Sequence, residues 1–322
     1  MSSNDKPTVL LLGRAIPQVE TVLDARYNTV KTSKKTLDAA LDEHGETVRG
    51  IVTFGHIPVN DALMDRLPAL ETVANYGVGY DSVDAVAAGR RGVVVSNTPD
   101  VLTDEVADVA MGLLIDTVRR LPHADAYVRR GDWEAKGAFP LSPLTLRGRT
   151  LGIVGLGRIG KAIAKRAEAF GLAIAYHGRH RQDGVSYPYH ADVTSLAEAV
   201  DTLMLVVPGG DETHHMIDAG VLRALGSDGV LINIGRGTAV DEAALIAALE
   251  DGTIAAAGLD VFEREPKVPQ GLIDAPNTVL LPHVGSASVA TREAMGQRVI
   301  DNLAGWFENR RPLSPVPETP VP

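Results

Sequence analysis

Residues 151–177 read "LGIVGLGRIGKAIAKRAEAFGLAIAYH", and the organisation of the whole chain can be built outward from them. An apolar run passes into Gly155-Leu156-Gly157-Arg158-Ile159-Gly160, which fits G-x-G-x-x-G and leads directly into a helical sequence. A lone match is weak, but a strand before it and a helix after it form the context a dinucleotide phosphate loop requires. Gly155 permits the tight turn, Gly157 lets a pyrophosphate approach the backbone, and Gly160 lets helix and strand pack closely. The amides that open the helix, those of Arg158 and Ile159 among them, then face the phosphates.

The rhythm extends in both directions. Upstream, "TVLLLG", "GIVTFG", "ETVANYG" and "GVVVSN" read as buried strands separated by helix-compatible segments; downstream, "TLMLVVP", "GVLINIG", "AAGLDV" and "TVLLPH" do the same. Continuous apolar runs suit parallel strands covered on both faces by helices. The alternation occurs twice, which predicts an α/β chain of two doubly wound parallel-sheet domains, Rossmann- and flavodoxin-like. A boundary falls near "SNTPDVLTDEVADVAMG", where Pro99 disfavours helix before it. Thr103 is read as a helix N-cap, with Asp104 and Glu105 near the positive end of the dipole. Val106, Val109, Ala110, Leu113 and Leu114 carry the helical spacing until Pro122 interrupts it. A last long helix covers about 287–308, and the proline-rich tail "RRPLSPVPETPVP" is expected to be mobile.

Composition narrows the class. The chain has 322 residues, 45% of them hydrophobic, with a formal charge of −10 and no cysteine. That charge argues against a nucleic-acid partner, and no apolar run is long enough to cross a bilayer. "MSSNDKPTVLLLG" lacks the pattern of a secretion signal. The lack of cysteine excludes disulfides and thiol chemistry and fits a reducing compartment. A soluble cytoplasmic protein is expected.

About twenty residues beyond Gly155 an acidic residue usually binds the ribose 2′-hydroxyl of NAD. His177 stands there, followed by Gly178, which removes bulk, and by Arg179, His180 and Arg181. A guanidinium attracts the 2′-phosphate that a carboxylate repels, so NADP(H) is expected in preference to NAD(H).

Three later segments end apolar strands with polar or charged residues: Arg236 in "INIGRGT", Glu265 in "GLDVFEREP" and His283 in "LLPHVGSAS". Open α/β sheets bind ligands at such strand ends. Reduction of a 2-oxo acid needs a cation for the carboxylate, a proton donor for the carbonyl oxygen and a group that keeps the donor charged. Arg236, His283 and Glu265 meet these needs.

With "NYGVGYDSVD", "GLGRIG", "INIGRG", "GLDVFEREP" and "PHVGSAS" in this order, the chain resembles the D-isomer-specific 2-hydroxyacid dehydrogenases, on the side of the glyoxylate/hydroxypyruvate reductases. The resemblance implies that His283 is the general acid in reduction, that Glu265 hydrogen-bonds its imidazole, and that Arg236 binds the substrate carboxylate. It also implies that the amides of Val78 and Gly79 hold the other carboxylate oxygen, that Asp260 contacts the nicotinamide carboxamide, and that Thr103 lies near the nicotinamide ribose or phosphate. A dinucleotide domain, 99–284, would be inserted into a substrate domain, 1–98 plus 285–322, with a cleft between them and hinges at "NTP" and "PHVG". Relatives pair through the dinucleotide domain, which implies a homodimer.

Substrate identity is less sharply written. Glyoxylate or hydroxypyruvate is expected, with 2-ketogluconate or an aryl pyruvate as larger alternatives. A non-catalytic nucleotide sensor of the same fold is the alternative from a different class. His56, Tyr76, Tyr80, Trp133 and Phe139 are candidates to shape the pocket, the last two from the partner subunit. His214-His215 is expected to be an exposed pair rather than a metal site, because no carboxylate or cysteine spacing supports one.

Overall fold

The computed structural model describes residues 6–55 and 57–321. The chain divides into two compact units, one of residues up to Leu102 with those from Ser288 onward, the other Thr103–Ala287. These breaks lie a few residues after the expected 98/99 and 284/285.

The first unit contains β1 (Thr8–Leu12), β2 (Asn28–Thr32), β3 (Val48–Thr53), β4 (Thr72–Asn75) and β5 (Val94–Ser96). They pair in parallel in the order β2-β1-β3-β4-β5, which is the flavodoxin-like order. Val9 to Leu12, Ile51 and Val73 are fully buried, as the uninterrupted apolar runs require. β2 is not predicted from the sequence: in "NTVKT" only Thr32 is buried, so this edge strand lacks an apolar signal. The final helix, Val289–Asn309, is capped by Ser288, whose hydroxyl accepts from Thr291 N at 3.2 Å. It lies close against the helix Pro17–Arg26, where a Cβ at Gly296 would come within 2.7 Å of Ile16 Cδ1.

The tail departs from expectation. Ser314, Val316 and Thr319 are buried. Val316 N donates to Val95 O, Val95 N donates to Thr319 Oγ1, and Asn97 N donates to Ser314 O. The segment is ordered because β5 is a sheet edge with unpaired backbone groups, and an extended proline-rich strand can cover an edge that a regular strand would extend.

The second unit contains β6 (Thr150–Val154), β7 (Ala173–His177), β8 (Tyr189–His190), β9 (Thr202–Leu205), β10 (Val230–Asn233), β11 (Ala256–Leu259) and β12 (Thr278–Leu280). All neighbours are parallel, in the order β12-β11-β10-β9-β6-β7-β8. From β6 the chain winds outward to β7 and β8, then returns to β9 on the other side. This reversal is the topological switch point where doubly wound sheets bind dinucleotides. Thr103 is the first residue of the helix Thr103–Arg119 rather than its cap. That helix stops where Arg120 turns left-handed, φ +56, and Pro122 opens the next helix, Leu121–Arg129. Among the described residues no helix is long and apolar enough to cross a membrane.

Candidate active site

The phosphate loop follows β6 at the switch point. Gly155 has φ +100, and a Cβ there would sit 2.9 Å from Val206 O. A Cβ at Gly160 would meet Gly155 O at 2.3 Å, whereas one at Gly157 would enter open space. Two glycines are therefore needed for chain packing, and the third leaves room for a ligand to reach the backbone. The helix Arg158–Ala169 begins at Gly157 without a side-chain cap and without an acid in its first turn. Its first amides, those of Arg158, Ile159 and Gly160, precede the first i→i−4 bond, which Lys161 N makes to Gly157 O. An uncapped positive helix end beside open space fits a pyrophosphate.

The basic turn after β7 is anchored to this loop. Gly155 N donates to His177 O at 2.9 Å, and Gln182 Nε2 donates to Leu156 O at 2.8 Å. Gln182 N donates to Tyr176 Oη, and His177 Nδ1 lies 3.0 Å from His190 O. His177 is thus committed through Nδ1 to the neighbouring edge strand. A Cβ at Gly178 would meet nothing within 4 Å, and Arg179 is exposed. Gln182 is not predicted from the sequence, because its position at the end of "YHGRHRQ" gives no pattern of its own.

The second cluster sits on the loops after β10, β11 and β12. His283 Nδ1 and Glu265 Oε2 are 2.8 Å apart. Burial pushes the Glu265 carboxyl up, but the hydrogen bond and charge of His283, the Phe262 amide and the Arg236 charge together bring it below the usual range. Arg236 is half-buried and donates from Nη1 to Gly235 O at 2.8 Å. Its neighbour Gly237 packs backbone to backbone on the Glu265 loop, since a Cβ there would lie 1.9 Å from the carbonyl carbon of Phe262. Only glycine allows the two loops to meet so closely.

His283 has φ +54, an uncommon conformation for a side-chain-bearing residue. Asp260 holds it there. His283 N donates to Asp260 O at 2.8 Å, and the carboxylate accepts from Val284 N at 2.7 Å and Gly285 N at 2.9 Å. Asp260 is buried, and burial raises its pKa despite those two amides. Asp260→Asn replaces one acceptor oxygen by an NH2 group facing a buried amide, at a cost of about 1–3 kcal/mol. The expected result is a fall in kcat by roughly tenfold or more, with nucleotide affinity much less affected. Steady-state kinetics beside a nucleotide titration checks this, and a parent-like kcat would remove Asp260 from the support of His283.

Glu242 carries no sequence signal as part of the site. It is buried, its pKa is raised by burial, and its Oε1 accepts from Glu263 N at 2.9 Å. That bond ties it to the backbone of the loop that carries Glu265. Its place beside the capping Asp241 disguises it as an ordinary first-turn acid.

The remaining candidates belong to other segments of the chain. Val78 and Gly79 belong to the first unit, in the loop after β4. Their carbonyls accept from Asn97 Nδ2 and Asn75 Nδ2, at 2.8 and 3.0 Å. Their amides make no hydrogen bond among the described residues. Tyr76 stacks on Phe54 and donates from its hydroxyl to Arg292 O. Tyr80 donates to Glu318 in the tail. Trp133 is exposed, and Phe139 contacts Tyr127 edge-on. His56 lies outside the described residues. Thr103 is half-buried at the start of its helix in the second unit. Among the described residues no hydrogen bond ties it to the phosphate loop or to the His283 loop.

Known proteins resemble the chain along nearly its whole length. Residues 111–285 match the family model "D-isomer specific 2-hydroxyacid dehydrogenase, NAD binding domain". The NADPH-dependent glyoxylate/hydroxypyruvate reductase of Sinorhizobium meliloti, solved in complex with NADP and malonate, is 53% identical, with a TM-score of 0.95 and 98% of each chain covered. A glyoxylate/hydroxypyruvate reductase of Arabidopsis thaliana is 41% identical over 98% of this chain and 99% of its own. A hydroxyphenylpyruvate reductase of Plectranthus scutellarioides is 47% identical over 84% and 86%.

Proposed function

This chain belongs to the D-isomer specific 2-hydroxyacid dehydrogenases, and we propose that it reduces a small 2-oxo acid, glyoxylate or hydroxypyruvate, to the D-2-hydroxy acid with NADPH preferred over NADH. The observation that carries the reaction is the 2.8 Å contact between His283 Nδ1 and Glu265. With Nδ1 bound to a carboxylate, Nε2 is the ring atom left to give a proton to the substrate's carbonyl oxygen. Glu265, whose carboxyl is held below its usual range, fixes the ring through Nδ1 so that Nε2 faces away from the carboxylate. Arg236 binds the substrate carboxylate through two parallel hydrogen bonds. The amides of Val78 and Gly79, which have no acceptor among the described residues, serve the second carboxylate oxygen. The bound nicotinamide supplies the hydride for the keto carbon. Asp260 orients its carboxamide as well as holding the His283 loop, and Thr103 serves the nicotinamide ribose or phosphate. The N-terminal unit with the C-terminal segment acts as the substrate domain, and the unit between them as the dinucleotide domain.

The preference for NADPH rests on the turn at His177-Gly178-Arg179, where the second ribose would lie and no carboxylate side chain stands. The S. meliloti reductase, bound to NADP, supports it. Arg179→Ala is expected to raise the KM for NADPH by roughly 10- to 100-fold, one charge-assisted bond of some 1.5–3 kcal/mol being lost, and to leave the KM for NADH nearly unchanged. Equal effects on both would return Arg179 to solvent.

We also propose a homodimer. The helices Leu121–Arg129 and Asp132–Lys136 bury no residue, and Leu121, Val128, Trp133 and Leu141 are all exposed. Large apolar side chains gathered on one such segment mark an interaction surface. A cytoplasmic location accords with a chain without cysteine. The substrate reading is tested with a panel of glyoxylate, hydroxypyruvate, phenylpyruvate and 2-ketogluconate at fixed NADPH. A higher kcat/KM for either small acid supports it; a clear preference for a larger one assigns the pocket to that acid, as the hydroxyphenylpyruvate reductase allows.

A further inference from the structure

His214 and His215 occupy the loop after β9, and Glu263 the loop after β11; both strands flank β10, so the fold brings together residues 48 apart in sequence. His215 has φ +50. Neighbouring side chains usually diverge, but here the two imidazoles lie face to face, with centroids 4.0 Å apart and planes 25° apart. His215 Nε2 is 3.2 Å from Glu263 Oε1. One nitrogen of each ring and one carboxylate oxygen all lie within 4.8 Å of one another.

From this geometry we infer that His214, His215 and Glu263 form a binding site for a divalent transition ion of the zinc class. Two imidazoles and one carboxylate are a donor set suited to such ions, and three protein ligands leave one position for water. Tetrahedral ligands at the usual zinc distances stand roughly 3.4 Å apart, so ion binding requires the exposed His214 ring to turn out of its stack on His215. Both loops are already fixed: His215 N donates to Thr238 O at 2.8 Å, and Glu263 N donates to the buried Glu242 at 2.9 Å. Arg264 lies within electrostatic range of Glu242, set against the carboxylates of Glu242 and Glu263. The His214 ring has no hydrogen bond among the described residues. A bound ion gives it a partner and ties the loop after β9 to the loop that carries Glu265. The carboxylate that meets this pair comes from a loop 48 residues further along the chain, and the fold brings it there.

The test is isothermal titration of the full-length, metal-stripped protein with zinc chloride, a readout independent of turnover. One site per chain is expected, weakened at least about tenfold by His214→Ala and by Glu263→Gln. His214 is exposed, so its removal takes away the stack on His215 but no buried core contact. His44→Ala, at a surface histidine 3.6 Å from Glu43, is expected to titrate as the parent does. Absence of a saturable site, or a His214→Ala protein that binds zinc as the parent does, overturns the inference.

Discussion

His283→Asn is expected to lower kcat for 2-oxo acid reduction by about 10²- to 10⁴-fold, the usual contribution of a positioned acid, while nucleotide affinity stays near that of the parent. Asparagine is the informative replacement because His283 sits at φ +54, a conformation asparagine tolerates better than alanine does. Backbone strain is then excluded as the reason for the loss. The pH profile separates the roles further. Reduction takes up a proton delivered through His283, so the parent rate is expected to fall with rising pH. The residual rate of the variant lacks that step. On the acid side, Glu265 titrates below the usual carboxylate range because the His283 bond, the Phe262 amide and the Arg236 charge outweigh its burial. Its contribution to stability is present above the unfolded carboxylate pKa and is lost only as pH falls through the lower folded value. A parent-like kcat in the Asn variant would remove His283 from the chemistry.

The second large effect is at Arg236. Arg236→Lys is expected to cost about 3 kcal/mol in kcat/KM, roughly 10²-fold, because a point charge replaces a planar two-pronged donor. The loop itself is not expected to unfold. Its close approach to the Glu265 loop depends on Gly237, where a Cβ would lie 1.9 Å from Phe262, and not on the length of the Arg236 side chain. Steady-state kinetics with circular dichroism as a control for folding distinguishes the two. Near-parent kinetics would place the substrate carboxylate elsewhere.

These two side chains are legible in the sequence for a physical reason: each follows an apolar strand that can only be a buried parallel strand, and ligands gather at such ends. The same reasoning finds every strand except β2 and β8. β2 is a polar edge, and β8 has two residues, so neither leaves a hydrophobic run to read. The order of the tail is hidden because nothing in "RRPLSPVPETPVP" signals the edge it covers; the need for it lies in β5, more than two hundred residues earlier. Gln182 and Glu242 escape for a related reason. Both bond to backbone atoms of distant loops, contacts that leave no periodicity. Glu263 shows the same limit, since its meeting with His215 depends on the order of strands in the sheet rather than on any spacing.

The proposed reaction and its cofactor preference are both reached by one measurement: initial rates of glyoxylate and hydroxypyruvate reduction with NADPH and with NADH, on one preparation. Turnover of both acids is expected, with a higher kcat/KM for NADPH. Turnover that favours NADH would contradict the role given to Arg179, and no turnover of either acid with either nucleotide would contradict the proposed reaction itself.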